Sequence, residues 1–556
     1  MNFIEFESAQ KLRGGFYTDA DIAEFLTRWV AVLRPQRVLE PSCGDGAFIE
    51  ALGKGASTQL NSVFACEINP EAAVKAKARI GDARLEVRQG DFLRWFLFHG
   101  AEVEVFDGAL GNPPFIRYQY LPEEQQLLAE KVFKRFGLPF TKHTNAWVPF
   151  VIASLALVRP GGRLGMVVPS EIFHIPHAQS LRRFLAEECS RILILDPEEI
   201  WFSETLQGTV LLMAEKKYNR GEKSQGVAVF PIRSRHQLGG DPEKIFQGAG
   251  YTNGSTINGK WMPVFLTREE RALVSELRAD KRVRPFTEQA SVDVGIVTGA
   301  NRFFLVPDEV VEKFQLQRWA HPMFGRSEHV QGLVYSRADH AANRRAGLPA
   351  NFLWFQEESV DDLPANVRRY LEAGLAEKLQ TRYKCRVRTP WYKVPSVYAA
   401  PVAMLKRAHN IPRLVLNSAG AYTTDTAYRI KPLRATAEAL VFSFVNSLTC
   451  LTAEMEGRHY GGGVLELVPS EIERLLLPVV DANAAQLAAA DESYREAEND
   501  LAFLRGQDAA VLSRVGLTRR DQEMLFNAWS RFRGRRQRVP SAEETSESEQ
   551  MLNRFQ

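Results

Sequence analysis

Between residues 20 and about 215, short apolar runs alternate with longer segments in which apolar residues recur at helical spacing. This alternation is typical of a doubly wound α/β sheet, in which helices connect parallel strands. The predicted strands are 37–40, 62–66, 85–87, 106–110, 164–168, 192–195 and 209–214, and the clearest helices are 70–80 and 146–158. The pattern therefore predicts a seven-stranded, Rossmann-like α/β domain.

Beyond residue 215 the alternation of strands and helices stops. A polar, glycine-rich stretch with a small β element at 226–232 predicts a linker, and the short strands and basic loops that follow predict a second, mixed α/β domain. Two helices are predicted near the end, over 482–504 and 518–532. The predicted organisation is a first domain over 1–220, a linker over 221–259, a second domain over 260–480, a helical segment over 481–534 and a disordered tail over 535–556.

Composition places the chain among soluble proteins of several domains. It has 556 residues, of which 45% are hydrophobic and 25% charged. The longest apolar stretch, 148–158, is far shorter than the roughly 20 residues that span a bilayer. The first residues carry acids where a secretory signal carries basic residues, so we expect a cytoplasmic protein without a membrane partner. The five cysteines form no C-x-x-C pair, and neither a disulfide framework nor a bound metal is expected.

The first predicted strand runs directly into a glycine turn. The residues Pro41-Ser42-Cys43-Gly44-Asp45-Gly46-Ala47-Phe48 follow it and lead into a helix. Gly44 and Gly46 permit a tight turn and the close approach of a ligand to the backbone. A dinucleotide-binding turn has a third glycine where this chain has Ile49, which argues against a nicotinamide cofactor.

Three acidic residues stand at the ends of the first three predicted strands. They are Glu40, Glu67 and Asp91, and the last two are followed by Ile68 and Phe92. A carboxylate some twenty residues after the glycines is placed to accept both hydroxyls of a ribose. Asp91 is suited to accept from the amino group of an adenine, and Phe92 to pack on its ring. The alternative is that the three acids only cap helices, which acids favour at their N-termini.

The fourth predicted strand is followed by Asn112-Pro113-Pro114-Phe115. The N6 amine of adenine is a poor nucleophile, because its lone pair is delocalised into the ring. Two acceptors, the side-chain oxygen of Asn112 and the carbonyl of Pro113, would stabilise the positive charge that develops on this nitrogen. Consecutive prolines hold that carbonyl in place, since proline fixes φ. Phe115 would stack on the base. No cysteine follows a proline, so the chain lacks the Pro-Cys nucleophile of a cytosine-C5 enzyme.

With these motifs in this order, the chain resembles the gamma class of N6-adenine DNA methyltransferases of bacterial restriction–modification systems, of the Asn-Pro-Pro-Phe type. Segments 14–18, 145–148, 167–170, 297–301 and 458–466 resemble further segments of that class. Glu40 stands where aspartate is usual, and Phe115 where tyrosine is commoner. The resemblance implies that Phe202 supports a flipped target base beside Phe115. It also implies S-adenosylmethionine as cofactor, bound by Tyr17, Thr18, Glu40, Pro41, Gly44, Gly46, Phe48, Glu67, Ile68, Asp91, Phe92 and Asn112.

The implied activity is site-specific methylation of adenine N6 in duplex DNA, by a monomer paired with a separately encoded restriction endonuclease. Asn-Pro-Pro-Phe also occurs in RNA and protein methyltransferases on the same fold, which usually lack a large basic domain. Another alternative is a methylating or non-catalytic subunit of a multi-subunit restriction or phage-defence complex. A serine in place of Asn112 would have favoured cytosine N4.

One long segment carries basic residues without any acid. Between Lys378 and Thr424 there are nine lysines or arginines and no aspartate or glutamate. These predicted DNA-binding residues are Lys378, Arg382, Lys384, Arg386, Arg388, Lys393, Lys406, Arg407 and Arg413. Such side chains neutralise phosphates, and interleaved aromatics stack on bases. The aromatics are Tyr383, Trp391, Tyr392 and Tyr398. A solvated surface loop is the alternative.

Two other charged patterns allow competing interpretations. Asp196 with Glu215-Lys216-Lys217 has the acid and E-x-K spacing of a restriction nuclease, but these residues fall within predicted strands of the sheet, where they have structural duties. The arginine-rich end, from Arg531 to Arg538, suits either added phosphate contacts or a flexible tail.

Overall fold

A computed structural model describes residues 18–55, 60–79, 84–102, 105–198, 201, 208–253, 259–460 and 462–537. The chain forms two compact units. The first contains the described residues up to Phe265, and the second spans Leu266–Gln537. Among these residues, no helix has the length and apolar character needed to cross a membrane.

The first unit is built on one large sheet. Its strands are β1 (Arg37–Glu40), β2 (Ser62–Glu67), β3 (Leu85–Gln89), β4 (Phe106–Gly111), β5 (Val158–Pro169), β6 (Cys189–Pro197), β7 (Thr209–Lys216) and β8 (Gly226–Ile232). Its helices are α1 (Ala20–Ala31), α2 (Ala47–Gly55), α3 (Pro70–Arg79), α4 (Phe92–His99), α5 (Glu123–Arg135), α6 (Trp147–Leu157), α7 (Gln179–Glu188) and α8 (Pro242–Gly248). The strand order is β3-β2-β1-β4-β5-β7-β6-β8.

The described part of this sheet has eight strands, so the predicted count of seven is wrong. The extra strand is β8, which the sequence pattern assigned to a linker. It pairs in parallel with β6, from Arg191 opposite Gly226 to Pro197 opposite Ile232. The backbone of β8 pairs with the edge of β6, which would stay unpaired if residues 226–232 were a linker. Strand β7 is antiparallel to both β5 and β6.

The parallel arrangement of β1 to β5 places their carboxyl ends along one edge of the sheet. In open α/β sheets, ligands bind outside these ends, at the point where the strand order reverses. Here the order reverses between β1 and β4. Helix α1 packs behind this point with fully buried Phe25 and Trp29. The fold therefore brings the loops after β1, β2, β3 and β4 together.

The second unit contains fourteen described strands, most of them short. They are β9 (Val283–Pro285), β10 (Ala290–Asp293), β11 (Leu305–Val306), β12 (Ala320–Phe324), β13 (Val334–Tyr335), β14 (Asn351–Leu353), β15 (Val402–Leu405), β16 (Arg407–Ala408), β17 (Leu414–Asn417), β18 (Tyr422–Thr423), β19 (Ala427–Pro432), β20 (Arg458–Tyr460), β21 (Val464–Glu466) and β22 (Leu476–Pro478). They form sheets in the orders β10-β19-β15-β17-β13, β11-β14-β12-β18, β16-β21-β20 and β22-β9.

Helices of the second unit surround these sheets. They are α9 (Arg268–Ala279), α10 (Phe286–Gln289), α11 (Asn301–Phe304), α12 (Asp308–Lys313), α13 (Arg337–Arg345), α14 (Ala365–Ala376), α15 (Tyr383–Arg386), α16 (Ala437–Phe444), α17 (Ser447–Glu456), α18 (Pro469–Ile472), α19 (Ala484–Glu496), α20 (Asp500–Val511) and α21 (Arg519–Gln537). The single helix predicted over 482–504 is two helices, because Asn499 caps the second with bonds to the amides of Leu501 and Ala502.

The arginine-rich end is part of the second unit up to Gln537. Helix α21 continues through Arg535 and Arg536, where a disordered tail was predicted, and residues 538–556 lie outside the described range. The side chains of Arg536 and Glu454 are both 0% exposed, and Arg536 Nη2 lies 2.8 Å from Glu454 Oε1. Arg531 bonds to Glu270 of α9. These two arginines hold the fold together, which accounts for them without a phosphate contact.

Candidate active site

A cavity of about 960 Å³ opens at the carboxyl ends of β1 to β4. It has the size of a site for a small molecule. The predicted site residues that line it are Thr18, Glu40, Pro41, Gly44, Phe48, Glu67, Ile68, Asp91, Phe92, Asn112 and Pro114. Residues from four strand ends and from the start of α1 therefore meet in one place, although they are spread over about a hundred positions of sequence.

The carboxylate of Glu67 is held against the glycine turn. One of its oxygens accepts from the backbone amide of Gly44 at 2.9 Å, and the other accepts from the amide of Asn69 at 2.7 Å. Gly44 and Gly46 have φ values of 53° and 96°, which favour glycine. A Cβ at Gly46 would lie 3.1 Å from the Cα of Ala76, so this turn packs tightly on α3. The bonds fix the Glu67 carboxylate at the cavity wall.

The position of Asp91 is compatible with both of the roles that the sequence allowed, and its contact with an adenine stays a prediction. It lines the cavity and also caps α4, accepting from the amide of Arg94 at 2.9 Å. The cap of α3 is Asn69 rather than Glu67, since its side-chain oxygen accepts from Glu71 and Ala72. The capping interpretation therefore describes Asp91 but not Glu67.

The charges of the cavity lining are all negative. Its ionisable acids are Glu40, Asp45, Glu67, Glu71 and Asp91, and its described lining includes no lysine, arginine or histidine. Burial, together with the charges of Glu67 and Asp45, raises the pKa of Glu40 well above its usual range. Glu40 Oε2 is buried without a hydrogen-bond partner in the described structure. A nearby positive charge would offset the burial that disfavours the ionised form of Glu40, and a buried polar atom needs a hydrogen-bond partner. This wall therefore suits a ligand that carries positive charge and hydroxyl groups. It disfavours the phosphates of a dinucleotide.

Asn112 stands where β4 leaves the sheet. Its side-chain nitrogen donates to Thr18 Oγ1 at 3.2 Å, and the hydroxyl of Ser42 donates to its backbone carbonyl at 3.2 Å. The first bond restrains the Asn112 side chain, and the second ties the Asn-Pro-Pro loop to the glycine turn. The acceptor that the predicted chemistry requires is thus held in the same cavity as the acidic ligand site.

Other predicted residues lie elsewhere. Pro113 and Gly46 are buried and are not among the residues that line the cavity. Phe115 packs, half-buried, against the hydrophobic core of the first unit. Stacking of Phe115 on a base stays a prediction. Tyr17 and Phe202 lie outside the described residues, so their predicted roles stay predictions too.

The cavity has lining residues that the sequence analysis did not select. They are Ser42, Cys43, Asp45, Ala47, Asn69, Glu71, Ala72, Gly90, Leu93, Ile116, Tyr120, Leu121, Pro122, Gln125, Ala129, Ala146, Pro149 and Phe150. Phe150 offers an aromatic ring within the apolar run of α6, two residues after the family-like segment 145–148. That position was the available signal, whereas the run itself was interpreted only as a helix and as too short to span a bilayer.

The nine predicted DNA-binding residues divide into two sets. Five of them have partners within the second unit, namely Arg388, Lys393, Lys406, Arg407 and Arg413. Lys406 and Arg407 share the carboxylate of Glu466, for example. Of the interleaved aromatics, Tyr392 is buried and is thereby excluded from the surface, and Trp391 is half-buried against the core. Tyr398 is 45% exposed and lies against Arg429.

The remaining four, Lys378, Arg382, Lys384 and Arg386, are exposed and make no ion pair within the described chain. They belong to residues 378–388, which we call the basic turn. Buried Leu379 and Cys385 anchor it. Arg388 fixes its end by donating to the carbonyls of Thr298 and Val297 at 2.8 and 2.6 Å. Tyr383 and Val387 are 66% and 64% exposed on the same turn. This turn thus presents charge and apolar surface to solvent on a fixed backbone.

Glu215 and Lys216, which belong to the nuclease-like pattern, have structural roles. Glu215 accepts from Arg191 at 2.8 Å and from buried Arg163 at 3.3 Å. Lys216 Nζ donates to the carbonyls of Leu155 and Val158, at the end of α6. Within the described residues, no group of three or more histidine, cysteine, aspartate or glutamate side chains is arranged to hold a metal.

Comparison with known families gives two matches that follow one another along the chain. Residues 56–201 match the model described as Eco57I restriction-modification methylase. Residues 258–512 match the model described as type II methyltransferase M.Eco57I, C-terminal domain. The first match contains the Asn-Pro-Pro-Phe loop, and the second contains most of the second unit, with the basic turn.

Individual relatives extend along most of the chain. Type II methyltransferase M.XamI of Xanthomonas campestris pv. amaranthicola is 24% identical over 84% of this chain and 85% of its own. Type II methyltransferase M.AccI of Acinetobacter calcoaceticus is 20% identical over 83% and 84%. Among solved structures, the type IIG restriction endonuclease BpuSI aligns with 95% of this chain and 67% of its own, at 12% identity and a TM-score of 0.43.

Proposed function

This chain belongs to the Eco57I family of restriction–modification methylases, and from that premise we propose that it methylates the N6 amine of adenine in duplex DNA, with S-adenosylmethionine as methyl donor. It is a DNA methyltransferase of a restriction–modification system. The observation that carries the finer proposal is the position of Asn112 beside Glu67 and Asp91 in one cavity.

The cavity fits this cofactor by its charge. S-adenosylmethionine supplies an electrophilic methyl group on a positively charged sulfonium. The acidic lining and the unpartnered oxygen of Glu40 favour such a cation, because opposite charges attract strongly where water is excluded. Glu67, fixed by the amides of Gly44 and Asn69, would accept from ribose hydroxyls. Asp91, Phe92 and Phe150 would surround the adenine ring.

Asn112 and Pro113 would activate the methyl acceptor, which is the N6 amine of adenine. Their oxygens would accept hydrogen bonds from the two N–H groups of the adenine amine, which would draw the nitrogen lone pair out of the ring. They would stabilise the charge that develops as the nitrogen–carbon bond forms and the methyl–sulfur bond breaks, after which the methylated amine would lose one proton to water. The bond from Asn112 to Thr18 supports this role, because it restrains the amide side chain in the cavity. Positioning of the amine against the methyl group supplies much of the rate. Phe115 and Phe202 would support the flipped base.

The substrate class is tested with purified protein, tritiated S-adenosylmethionine and three acceptors: duplex bacterial DNA, ribosomal RNA and cell protein. We expect label in DNA only, recovered as N6-methyladenine. Mapping of the labelled positions then gives the recognition sequence. Label in RNA or protein alone would refute the choice of DNA. Label recovered as N4-methylcytosine would refute adenine. No label at all would favour a subunit that needs partners over a monomer with a separately encoded endonuclease.

The basic turn is proposed as a DNA contact of the second unit. Its four unpaired cations would bind phosphates, and Tyr383 would stack on a base or sugar. Each neutralised phosphate contributes about 0.9 to the slope of log affinity against log salt. We expect the variant Arg382→Gln/Lys384→Gln/Arg386→Gln to weaken DNA binding and reduce this slope by about 2 to 3. The measurement is fluorescence anisotropy with labelled duplex DNA over a series of salt concentrations.

The matched control is Arg326→Gln, which removes a cation of the same unit that is 63% exposed. It should leave the slope unchanged. An unchanged slope in the triple variant would refute the DNA contact and leave the basic turn a solvated surface loop. Cofactor binding should be the same in all three proteins.

A further inference from the structure

Two basic residues stand at the mouth of the cavity on the first unit, outside the predicted DNA-binding region. Arg117 follows the Asn-Pro-Pro-Phe loop and Lys142 precedes α6. Both side chains are exposed, Ile116 beside Arg117 lines the cavity, and so does Ala146, four residues after Lys142. Arg117 is therefore adjacent to a cavity whose described lining holds no cation, and Lys142 belongs to the segment that leads into it.

The backbone holds these two segments together. The amide of Ala146 donates to the carbonyl of Ile116 at 2.8 Å. Lys142 belongs to a turn closed by a bond from the amide of Thr144 to the carbonyl of Thr141 at 3.0 Å. Neither Arg117 nor Lys142 forms an ion pair within the described residues. The two charges are thus presented by fixed backbone and remain uncompensated by a carboxylate within salt-bridge distance.

The segment that follows Arg117 leads into acidic residues. Helix α5 begins with Glu123 and Glu124, directly after lining residues Leu121 and Pro122, and Glu124 pairs with Arg94 of α4. Arg94 thus neutralises Glu124, whereas Arg117 and Lys142 would attract a polyanion.

We propose that Arg117 and Lys142 form a phosphate clamp that binds the backbone on either side of the flipped target nucleotide. This inference rests on the proposed function, since it requires a nucleotide whose base enters the cavity. A base inside the cavity leaves its sugar and both flanking phosphates at the mouth. Flipping costs a few kcal/mol of unstacking and unpairing, and charge-assisted bonds to these phosphates would offset part of that cost.

The alternative to phosphate binding is that Arg117 has only a structural role beside Glu171. Burial raises the pKa of the Glu171 carboxyl to about 7, and the nearby charge of Arg117 opposes that rise. If Arg117 served only to accompany Glu171, the variant Glu171→Gln would reproduce the effects of Arg117→Gln. A phosphate clamp predicts instead that Glu171→Gln keeps the DNA affinity and the salt dependence of the parent protein.

The test is carried out on the full chain with a fluorescent duplex that carries the mapped recognition sequence. We expect Arg117→Gln and Lys142→Gln each to raise the Kd about tenfold and each to reduce the salt slope by about 0.9. The matched control is Lys223→Gln, an exposed lysine between β7 and β8 that is remote in sequence from the lining residues. It should change neither quantity. Cofactor affinity should be unaltered in all variants.

A second duplex, with an abasic site in place of the target adenosine, separates the clamp from recognition of the base. It keeps both phosphates, so the losses in Arg117→Gln and Lys142→Gln should persist on it. An unchanged salt slope in both variants, or equal losses in Glu171→Gln and Arg117→Gln, would overturn the clamp. Failure of the parent protein to methylate DNA would instead overturn the proposed function, and the two failures are thus distinguishable.

Discussion

Replacing Asn112 with alanine is expected to lower kcat for DNA methylation by about 100- to 1,000-fold, the usual effect of removing one preorganised polar group that acts on the transition state. The side-chain oxygen that would accept from the adenine amine is lost, while the acids that line the cofactor cavity remain. The measurement is single-turnover methyl transfer to duplex DNA, with equilibrium binding of S-adenosylmethionine measured on the same protein.

Thr18→Ala provides the matched comparison for Asn112→Ala. It removes only the partner of the Asn112 amide nitrogen, whose hydrogen bond is 3.2 Å long. One such bond is worth about 1 kcal/mol, so we expect a loss of about five- to tenfold in kcat. If Asn112→Ala kept more than a tenth of the parent rate, the assigned role of Asn112 would be wrong. If it lost cofactor affinity in proportion to rate, Asn112 would act on the cofactor rather than on the acceptor.

Replacing Arg536 with methionine is expected to destabilise the second unit by about 3 to 5 kcal/mol, because it leaves a buried carboxylate without its partner. Arg536 donates to both oxygens of Glu454 and, at 2.9 Å, to the carbonyl of His409. Urea unfolding, followed by tryptophan fluorescence, reports the change. The control Arg519→Met alters an arginine of the same helix that is 93% exposed, and its unfolding midpoint should not move.

The same pair predicts a dependence of stability on pH. Burial alone would raise the pKa of Glu454, but Arg536 and His459 outweigh burial and hold it at about 2. A carboxyl whose pKa is lowered by folding stabilises the protein above its unfolded pKa, near 4.5, and this contribution is lost as the pH falls from there to about 2. The parent protein should therefore lose more stability over this range than Glu454→Gln does. The double variant Glu454→Leu/Arg536→Met should recover most of the stability. Additive losses in it would contradict a coupled pair.

Much of the cavity was predictable from sequence because its chemistry lies at strand ends. Glu40, Glu67, Asp91 and Asn112 each follow an apolar run, and parallel strands bring such ends to one edge of a sheet. Their residue types then limit the ligand. The same reasoning reached the first seven strands of the sheet but not β8, since a short apolar run between glycine-rich segments has the pattern of a linker as well as that of an edge strand.

The partners of charged residues could not be predicted, because ion pairs join positions that are distant in sequence. Arg407 meets Glu466, and Arg536 meets Glu454, across 59 and 82 positions. An acid-free segment therefore suggests more unpaired positive charge than the folded protein has, since acids from other elements pair with its cations. Arg117 was overlooked for the opposite reason, because a single arginine does not change the local composition of the sequence. Only its position next to lining residue Ile116 distinguishes it from other exposed arginines.

The negative lining of the cavity has a consequence for turnover. A sulfonium cofactor loses its positive charge when the methyl group leaves and becomes a neutral thioether. A wall whose ionisable groups are all acids gains less from binding that product than from binding the charged donor. If the cavity binds such a donor, the same electrostatics would favour its binding over retention of the spent molecule.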